Sequence, residues 1–411
     1  MNHYFVICIF LALQALSFGA VIPKAGCEIS VNEHLTEPQP LLLLQNEATH
    51  DLEAFPLPID KYGTLTFAKG ETIDLACPGG KVVLDKVNTD TDILEAKCVS
   101  ETVFEVQKKK IPFTSITCSK IPAHTARYSG KKCATKYREI EIGFKINNRF
   151  ITHILTCFDD VLQHVVYSKS NVSTSIAGNQ INYPRPSFQV ASFYNVKPDS
   201  VSTLYSQKGQ RKTINTILGL DESNTSVIQP NSNFYLATGH YTPKAEFVYG
   251  SQQRLTFYYV NAAPQWQSFN GGNWNTMEAN YRDLAFNRGL DFTVYTGTHG
   301  ISTLPDINGN DQELYLWISD GTKKGIPVPA LFYKVLYEPI SQAGIALVGL
   351  NNPYKKDIKD DIICKDVCDK VNWLSWKNKN ITLGYGYCCE VDDLRKTIKT
   401  LPNFTVKKLL V

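Results

Sequence analysis

A chain of 411 residues with 42 Lys and Arg against 39 Asp and Glu has a formal charge of only +3 at pH 7. Whole-chain electrostatics therefore does not mark a polyanion binder, and any such affinity must come from a local patch. The length exceeds what one hydrophobic core ordinarily supports, so a main domain with one or two appended modules is expected.

Residues 1–20 hold an apolar run over 4–13 and then the small residues Ser17, Gly19 and Ala20, the layout of a secretory signal peptide. A membrane anchor needs roughly 20 apolar residues, and no later stretch comes near that length. The mature chain is expected to be soluble and extracellular, with no membrane partner. Removing Cys8 with the signal leaves Cys27, Cys77, Cys98, Cys118, Cys133, Cys157, Cys364, Cys368, Cys388 and Cys389. An even number suits disulfides in an oxidising compartment. For the last four a zinc site is the alternative, because Cys364-x3-Cys368 falls within zinc ligand spacing; secretion favours the disulfides. Asn171, Asn224, Asn380 and Asn403 open glycosylation sequons, which secretion makes meaningful.

Over 21–160 short apolar runs (81–84, 102–106, 140–144) alternate closely with turn residues, predicting a β-rich, disulfide-stapled amino-terminal module. Residues 161–353 carry no cysteine and must be held by packing, as a larger domain can be. Residues 354–411 are rich in Lys and Asp, carry the four late cysteines, and read as a clipped-on tail. Basic clusters at 108–110, 131–132, 211–212 and 323–324 are most simply solvated surface.

Within the middle domain, 254–260 (Arg-Leu-Thr-Phe-Tyr-Tyr-Val) is rich in β-branched and aromatic residues and predicts a strand. After Asn270-Gly271-Gly272, apolar spacing over 273–284 predicts a helix. Strands are predicted again at 290–295, 314–318 and 330–336. The class expected is α+β.

On the predicted helix Trp274, Glu278 and Arg282 fall at i, i+4 and i+8, on one face. Taken blandly, Glu278 and Arg282 form an exposed ion pair and Trp274 is core. Upstream, however, Leu236-Ala-Thr-Gly-His240 places an imidazole after a glycine that permits close backbone approach. A Gly-His at one strand end, a second strand, Asn270 at the helix entrance and Glu278 one face along form an ordered strand-strand-helix finger. That set is far more specific than any of its members.

This set resembles the DNA/RNA non-specific endonucleases, a ββα-metal or His-Me finger family whose signature is Asp-Arg-Gly-His followed by an Asn-led helix. The resemblance covers about 233–300 and more weakly extends to 350, and it is strongest to secreted insect members of gut and saliva. The family's histidine falls on His240, its Asn-x-x-Pro-Gln on Asn261 to Gln265, its metal-binding asparagine on Asn270, and its Trp, Glu and Arg on Trp274, Glu278 and Arg282. The resemblance implies a ββα-metal finger embedded in a mixed sheet-and-helix nuclease core. It also implies hydrolysis of DNA and RNA, double- or single-stranded, with Mg²⁺ or Mn²⁺.

In that chemistry His240 acts as general base with an imidazole near its ordinary pKa. Asn270 is the direct metal ligand, a neutral oxygen suited to a hydrated ion, and Glu278 holds the ion's waters. Arg282, with Lys244 or Arg254, holds phosphate oxygens. Asn261 orients the loop or the metal's waters, and Trp274 is expected at the nucleic acid. Phosphate and sugar contacts carry no sequence information, so the activity is expected to be indiscriminate.

One departure matters: Thr238 stands where the family has Arg, and Ala237 where it has Asp. Losing a preorganised charge stabiliser costs about 10²–10³-fold in rate, so reduced turnover with surviving binding is expected. The competing hypotheses are a weak endonuclease, a high-affinity nucleic-acid clamp with little or no catalysis, and an extracellular disulfide-rich structural protein.

Overall fold

The computed structural model describes residues 26–45, 52–319 and 322–411; the signal-peptide expectation at 1–20 lies outside them. The fold is α+β and is organised around one nine-stranded sheet. Its order along the sheet is Thr125–Cys133, Tyr137–Ile146, Arg149–Asp159, His164–Val172, Phe292–Ile301, Pro329–Glu338, Ala343–Leu350 and Gly386–Cys389, with Lys408–Leu409 also pairing Ala343–Leu350. All pairings are antiparallel except this last one. Every residue of Ala343–Leu350 (AGIALVGL) is buried, as a strand covered on both faces requires. The hairpin between Tyr137–Ile146 and Arg149–Asp159 closes with Ile146 opposite Arg149. Asn147 takes the turn at φ 52°, in the left-handed region that Asn tolerates and two-residue hairpin turns need.

The domain limits expected from the sequence need revision here. Strands between 125 and 159, assigned to the amino-terminal module, pair within the nine-stranded sheet, and so do the tail strands Gly386–Cys389 and Lys408–Leu409. Cysteine content had suggested a border where hydrogen bonding makes none. What stands apart is the preceding six-stranded sheet, whose central strands are Ile93–Ser100, Thr72–Ala76 and Leu41–Gln45. It is stapled by Cys27–Cys98 and Cys77–Cys118. The late cysteines form Cys364–Cys389 and Cys368–Cys388, so their thiolates are not available to zinc.

This first sheet is joined to the nuclease part by specific hydrogen bonds, two of them at 180–181. Asn32 Oδ1 accepts from Ile181 N at 2.9 Å, Gln39 Nε2 donates to Gln180 Oε1 at 3.1 Å, and Tyr249 Oη donates to Pro56 O at 2.5 Å. Gly178 permits the close approach of the two parts, since an added Cβ would stand 2.4 Å from Asp60 O.

The strand expected at 254–260 does not exist. Gly250–Arg254 is helical, Tyr259–Asn261 is a 3₁₀ turn, and the strand is Ala262–Trp266, which pairs antiparallel with Leu236–His240. Phe257, Tyr258 and Tyr259 are buried; their enrichment marks a core-packed turn, and aromatic composition alone does not separate that from a strand.

Candidate nucleic-acid cleft

The finger consists of Leu236–His240, Ala262–Trp266 and the helix Asn275–Arg288. Gly239 is required where the strands cross: an added Cβ would lie 2.4 Å from Gln265 Oε1 and 2.5 Å from Gln265 Cβ. The entrance to the helix is a wide turn, Asn270–Trp274, broken at Gly272 (φ −96°, ψ −120°). The carboxy-terminal tail clasps this turn. Asn273 Nδ2 donates to Lys377 O at 2.9 Å and Gly384 O at 2.7 Å, while Asn273 Oδ1 accepts from Lys377 N at 2.8 Å.

Beside the finger opens a cleft of about 580 Å³ whose lining includes His240, Asn270, Glu278, Arg282, Lys244 and Thr238. The structure thus brings five of the eight residues singled out from the sequence to one surface. Asn270 Nδ2 donates to Gln267 Oε1 at 3.2 Å, which fixes the amide and leaves its carbonyl oxygen without a hydrogen bond from the described residues. Glu278 is nearly buried, and its Oε1 lies 3.7 Å from Lys334 Nζ.

Three residues lie elsewhere. Trp274 is 1% exposed and packs on Phe269 and Phe332 at ring distances of 5.4 and 5.6 Å. It cannot stack on a base. Trp274 caps the helix with helical φ/ψ (−62°, −49°), and its ring turns to the core beside Lys334, 5.7 Å from Nζ, instead of to the cleft. Asn261 is fully buried, with Oδ1 accepting from Thr242 N and Nδ2 donating to Thr242 O and Thr256 O. Both N–H donors of its amide are spent on backbone carbonyls and the side chain does not reach the cleft surface, so it ties together the turns at 242 and 256. Arg254 closes a short helix beside Tyr183 and His124, whose titrations its charge affects; it is not part of the cleft lining.

His240 departs from the expected near-neutral imidazole. Phe188 and Phe257 flank the ring at 4.9 and 5.1 Å, and Nε2 is buried without a hydrogen-bond partner. Burial first, then the charges of Arg185 and Lys334, push its pKa down to about 3, since each disfavours imidazolium. The ring is therefore neutral at physiological pH. Glu278 moves the other way: burial raises it to about 7 against the opposing pull of Lys334 and Arg282, and Glu246 adds to the rise.

The cleft contains a cation that the sequence reading did not find. Arg185 lines it, sets its guanidinium 5.1 Å from the Phe257 ring, and depresses both His240 and Lys244, each of them lowered chiefly by burial. Among the described residues no carboxylate is within ion-pair distance of Arg185. Lys244 Nζ donates to Tyr183 O, tying the wall that carries Arg185 to the finger. The only trace in the sequence is Pro184-Arg185-Pro186, an arginine fixed between two residues of restricted backbone.

The lining offers two hard oxygen donors, the unengaged Asn270 carbonyl and the Glu278 carboxylate, a chemistry that fits a small, strongly hydrated divalent cation, which prefers oxygen and keeps most of its waters.

The chain matches the model of the DNA/RNA non-specific endonuclease family over residues 136–394, and it belongs to that family. Among curated relatives, a salivary endonuclease of Lutzomyia longipalpis is 27% identical over 405 residues, covering 95% of this chain and 89% of that protein. Salivary protein Tsal1 of Glossina morsitans morsitans is 27% identical over 298 residues, 70% of each chain. A solved chain of the EndoG/EndoGI complex superposes with a TM-score of 0.34 and 16% identity, over 64% of this chain and 89% of that one.

Proposed function

We propose that this protein is a secreted, sequence-indifferent endonuclease that hydrolyses phosphodiester bonds of DNA and RNA with a divalent ion, Mg²⁺ or Mn²⁺. The observation that carries the reading is the convergence of His240, Asn270 and Glu278 with Arg185, Lys244 and Arg282 on one cleft. Extracellular release, in saliva as the names of its relatives have it, agrees with the disulfide-bonded fold.

Asn270 would hold the ion through its carbonyl oxygen, and Glu278 would hold the ion's waters. When bound, the ion supplies neutralisation of charge at phosphorus and at the departing 3′ oxygen. The protein's own groups do the rest. Arg185 and Lys244 on one wall and Arg282 on the finger helix grip non-bridging phosphate oxygens. Neutral His240 accepts the proton of the attacking water as its oxygen bonds to phosphorus. The cations touch phosphate and read no base edges, which makes the cleft indifferent to sequence. Thr238 leaves the strand before His240 without its cation, which lowers turnover, and Arg185, lining the same cleft, keeps the loss partial.

Digestion of plasmid and of RNA in Mg²⁺ is the direct test: both should be cut, and excess EDTA should reduce cutting to background. Cutting that EDTA leaves unchanged rejects the metal. The second reading, a tight nucleic-acid clamp without turnover, draws on Thr238 and on the weakly basic His240; retention of a duplex by filter binding in Mg²⁺ with no cleavage over hours would favour it.

A pH profile tests the role of Glu278. If its carboxylate is the working form, kcat should fall about tenfold per unit as pH drops below about 7, the value to which burial lifts this group. The stability sign is opposite. The folded pKa lies above the unfolded 4.5, so the folded state binds the extra proton between about 4.5 and 7, and Glu278's contribution to stability is lost as pH rises through that window. A profile flat from pH 5 to 8 would remove Glu278 from the mechanism.

A further inference from the structure

Lys334 lies inside Pro329–Glu338, a central strand of the large sheet, opposite Thr296 on one neighbour and Leu347 on the other. Its side chain is wholly inaccessible. Taking an ammonium group out of water costs several kcal/mol, so a buried lysine calls for an account of each of its three N–H donors. Here two donate hydrogen bonds and the third faces a carboxylate as an ion pair. Nζ lies 3.1 Å from Tyr241 O, 3.2 Å from Glu246 Oε1 and 3.7 Å from Glu278 Oε1. The rings of Trp274 and Tyr281, at 5.7 and 5.5 Å, close the remaining sides with faces that favour a cation.

These three acceptors come from three segments that must keep register for the cleft to exist. Tyr241 directly follows His240, Glu246 ends the turn that begins with Lys244, and Glu278 is on the finger helix. The two carboxylates are not equivalent. Glu246 is fully engaged inside, accepting from Ser170 Oγ at 2.7 Å and from the Tyr281 hydroxyl as well as from Lys334. Glu278 has Lys334 behind it and the cleft, with Arg282, in front.

We infer that Lys334 is a positioning residue of the nuclease site: from beneath, its ammonium group fixes the backbone next to His240 and the Glu278 carboxylate in one frame, and it supplies the countercharge that lets Glu278 act as an anion. The inference rests on the proposed role of the cleft. The charged and titratable groups facing Glu278 are Lys334, Arg282, Glu246 and Tyr281. With Lys334 gone, burial and Glu246 would both oppose ionisation, and only Arg282 would favour it.

Lys334→Met alone leaves two carboxylates buried around no countercharge and is expected to unfold the protein. The informative variant is Lys334→Met/Glu246→Gln, which keeps the summed charge of the cluster at minus one because an anion and a cation leave together. The side-chain amide introduced by Glu246→Gln keeps a carbonyl oxygen that can still accept from Ser170 and Tyr281. This variant should fold with a cooperative thermal transition and bind duplex within about threefold of wild type. Its kcat at pH 7 should fall about 10²-fold, and the acid limb of its profile should move up by about one unit, with partial recovery at pH 9. The pH dependence of its thermal midpoint should shift upward with the limb, since it follows the Glu278 proton independently of turnover.

A folded double variant with wild-type kcat and profile would reduce Lys334 to packing and overturn the inference. So would a loss of kcat with both pH profiles unmoved. His240→Ala serves as the parallel control: if it cuts like wild type, the reading of the cleft fails, while the thermal measurement still reports whether Lys334 governs the Glu278 proton.

Discussion

His240→Ala should cut plasmid DNA and RNA about 10³-fold more slowly than wild type while binding a duplex with nearly unchanged affinity. Losing a positioned general base costs about 10²–10⁴-fold, and neither Arg185, Lys244 nor Arg282 depends on the imidazole for its place. The low pKa of about 3 makes this a demanding test, because a base so weak in the free protein must strengthen when substrate arrives. A phosphodiester anion set against Arg185 neutralises one of the charges that depress the ring and favours imidazolium directly. His240 should accordingly leave no acid limb of its own near pH 6.5, and the limb near 7 should belong to Glu278. Single-turnover rates with saturating enzyme separate the two quantities; a His240→Ala protein with wild-type single-turnover rates would remove the imidazole from the chemistry.

Arg185→Ala should lower kcat/KM by about 10²–10³-fold, the usual effect of deleting one preorganised charge stabiliser. Part of this loss is affinity. One phosphate contact fewer should reduce the slope of log K against log salt by about 0.9, uniformly across sequences. Thr238→Arg in the same background should restore part of the rate, because it returns a cation to the cleft on the strand that carries His240. A salt slope identical to wild type would show that Arg185 does not touch phosphate, whatever happens to the rate.

The finger was legible because its parts are local. Gly239-His240, Asn270 and Glu278 are brought together by two short strands and one helix, and turn residues mark where each begins. Arg282, with Lys244 or Arg254, came from the family resemblance, and of these Arg282 and Lys244 line the cleft. Trp274 misled because helical spacing aligns residues along a face without saying which end of that face the core covers, and Arg254 because a core-packed aromatic turn imitates a strand in composition. Arg185 comes from a distant irregular segment whose position depends on hydrogen bonds to the first sheet, a relation no local pattern encodes. The domain border near 160 failed for a related reason: cysteines report covalent staples, whereas strands join a sheet through backbone pairing that side-chain inventories do not record. Lys334 did leave a signal. A single lysine within the apolar run 330–336 contradicts an otherwise consistent buried strand, and such local contradictions gather at functional sites.

The clasp on Asn273 gives the late cysteines a reach beyond the tail. Cys364–Cys389 and Cys368–Cys388 hold the segment whose Lys377 and Gly384 grip the turn that begins at Asn270. A thiol reductant acting on sulfur atoms outside the cleft lining would thus loosen the turn that carries Asn270, the amide proposed to hold the ion. On the proposed reading, the cleft would reach working order only where an oxidising environment lets these two disulfides close.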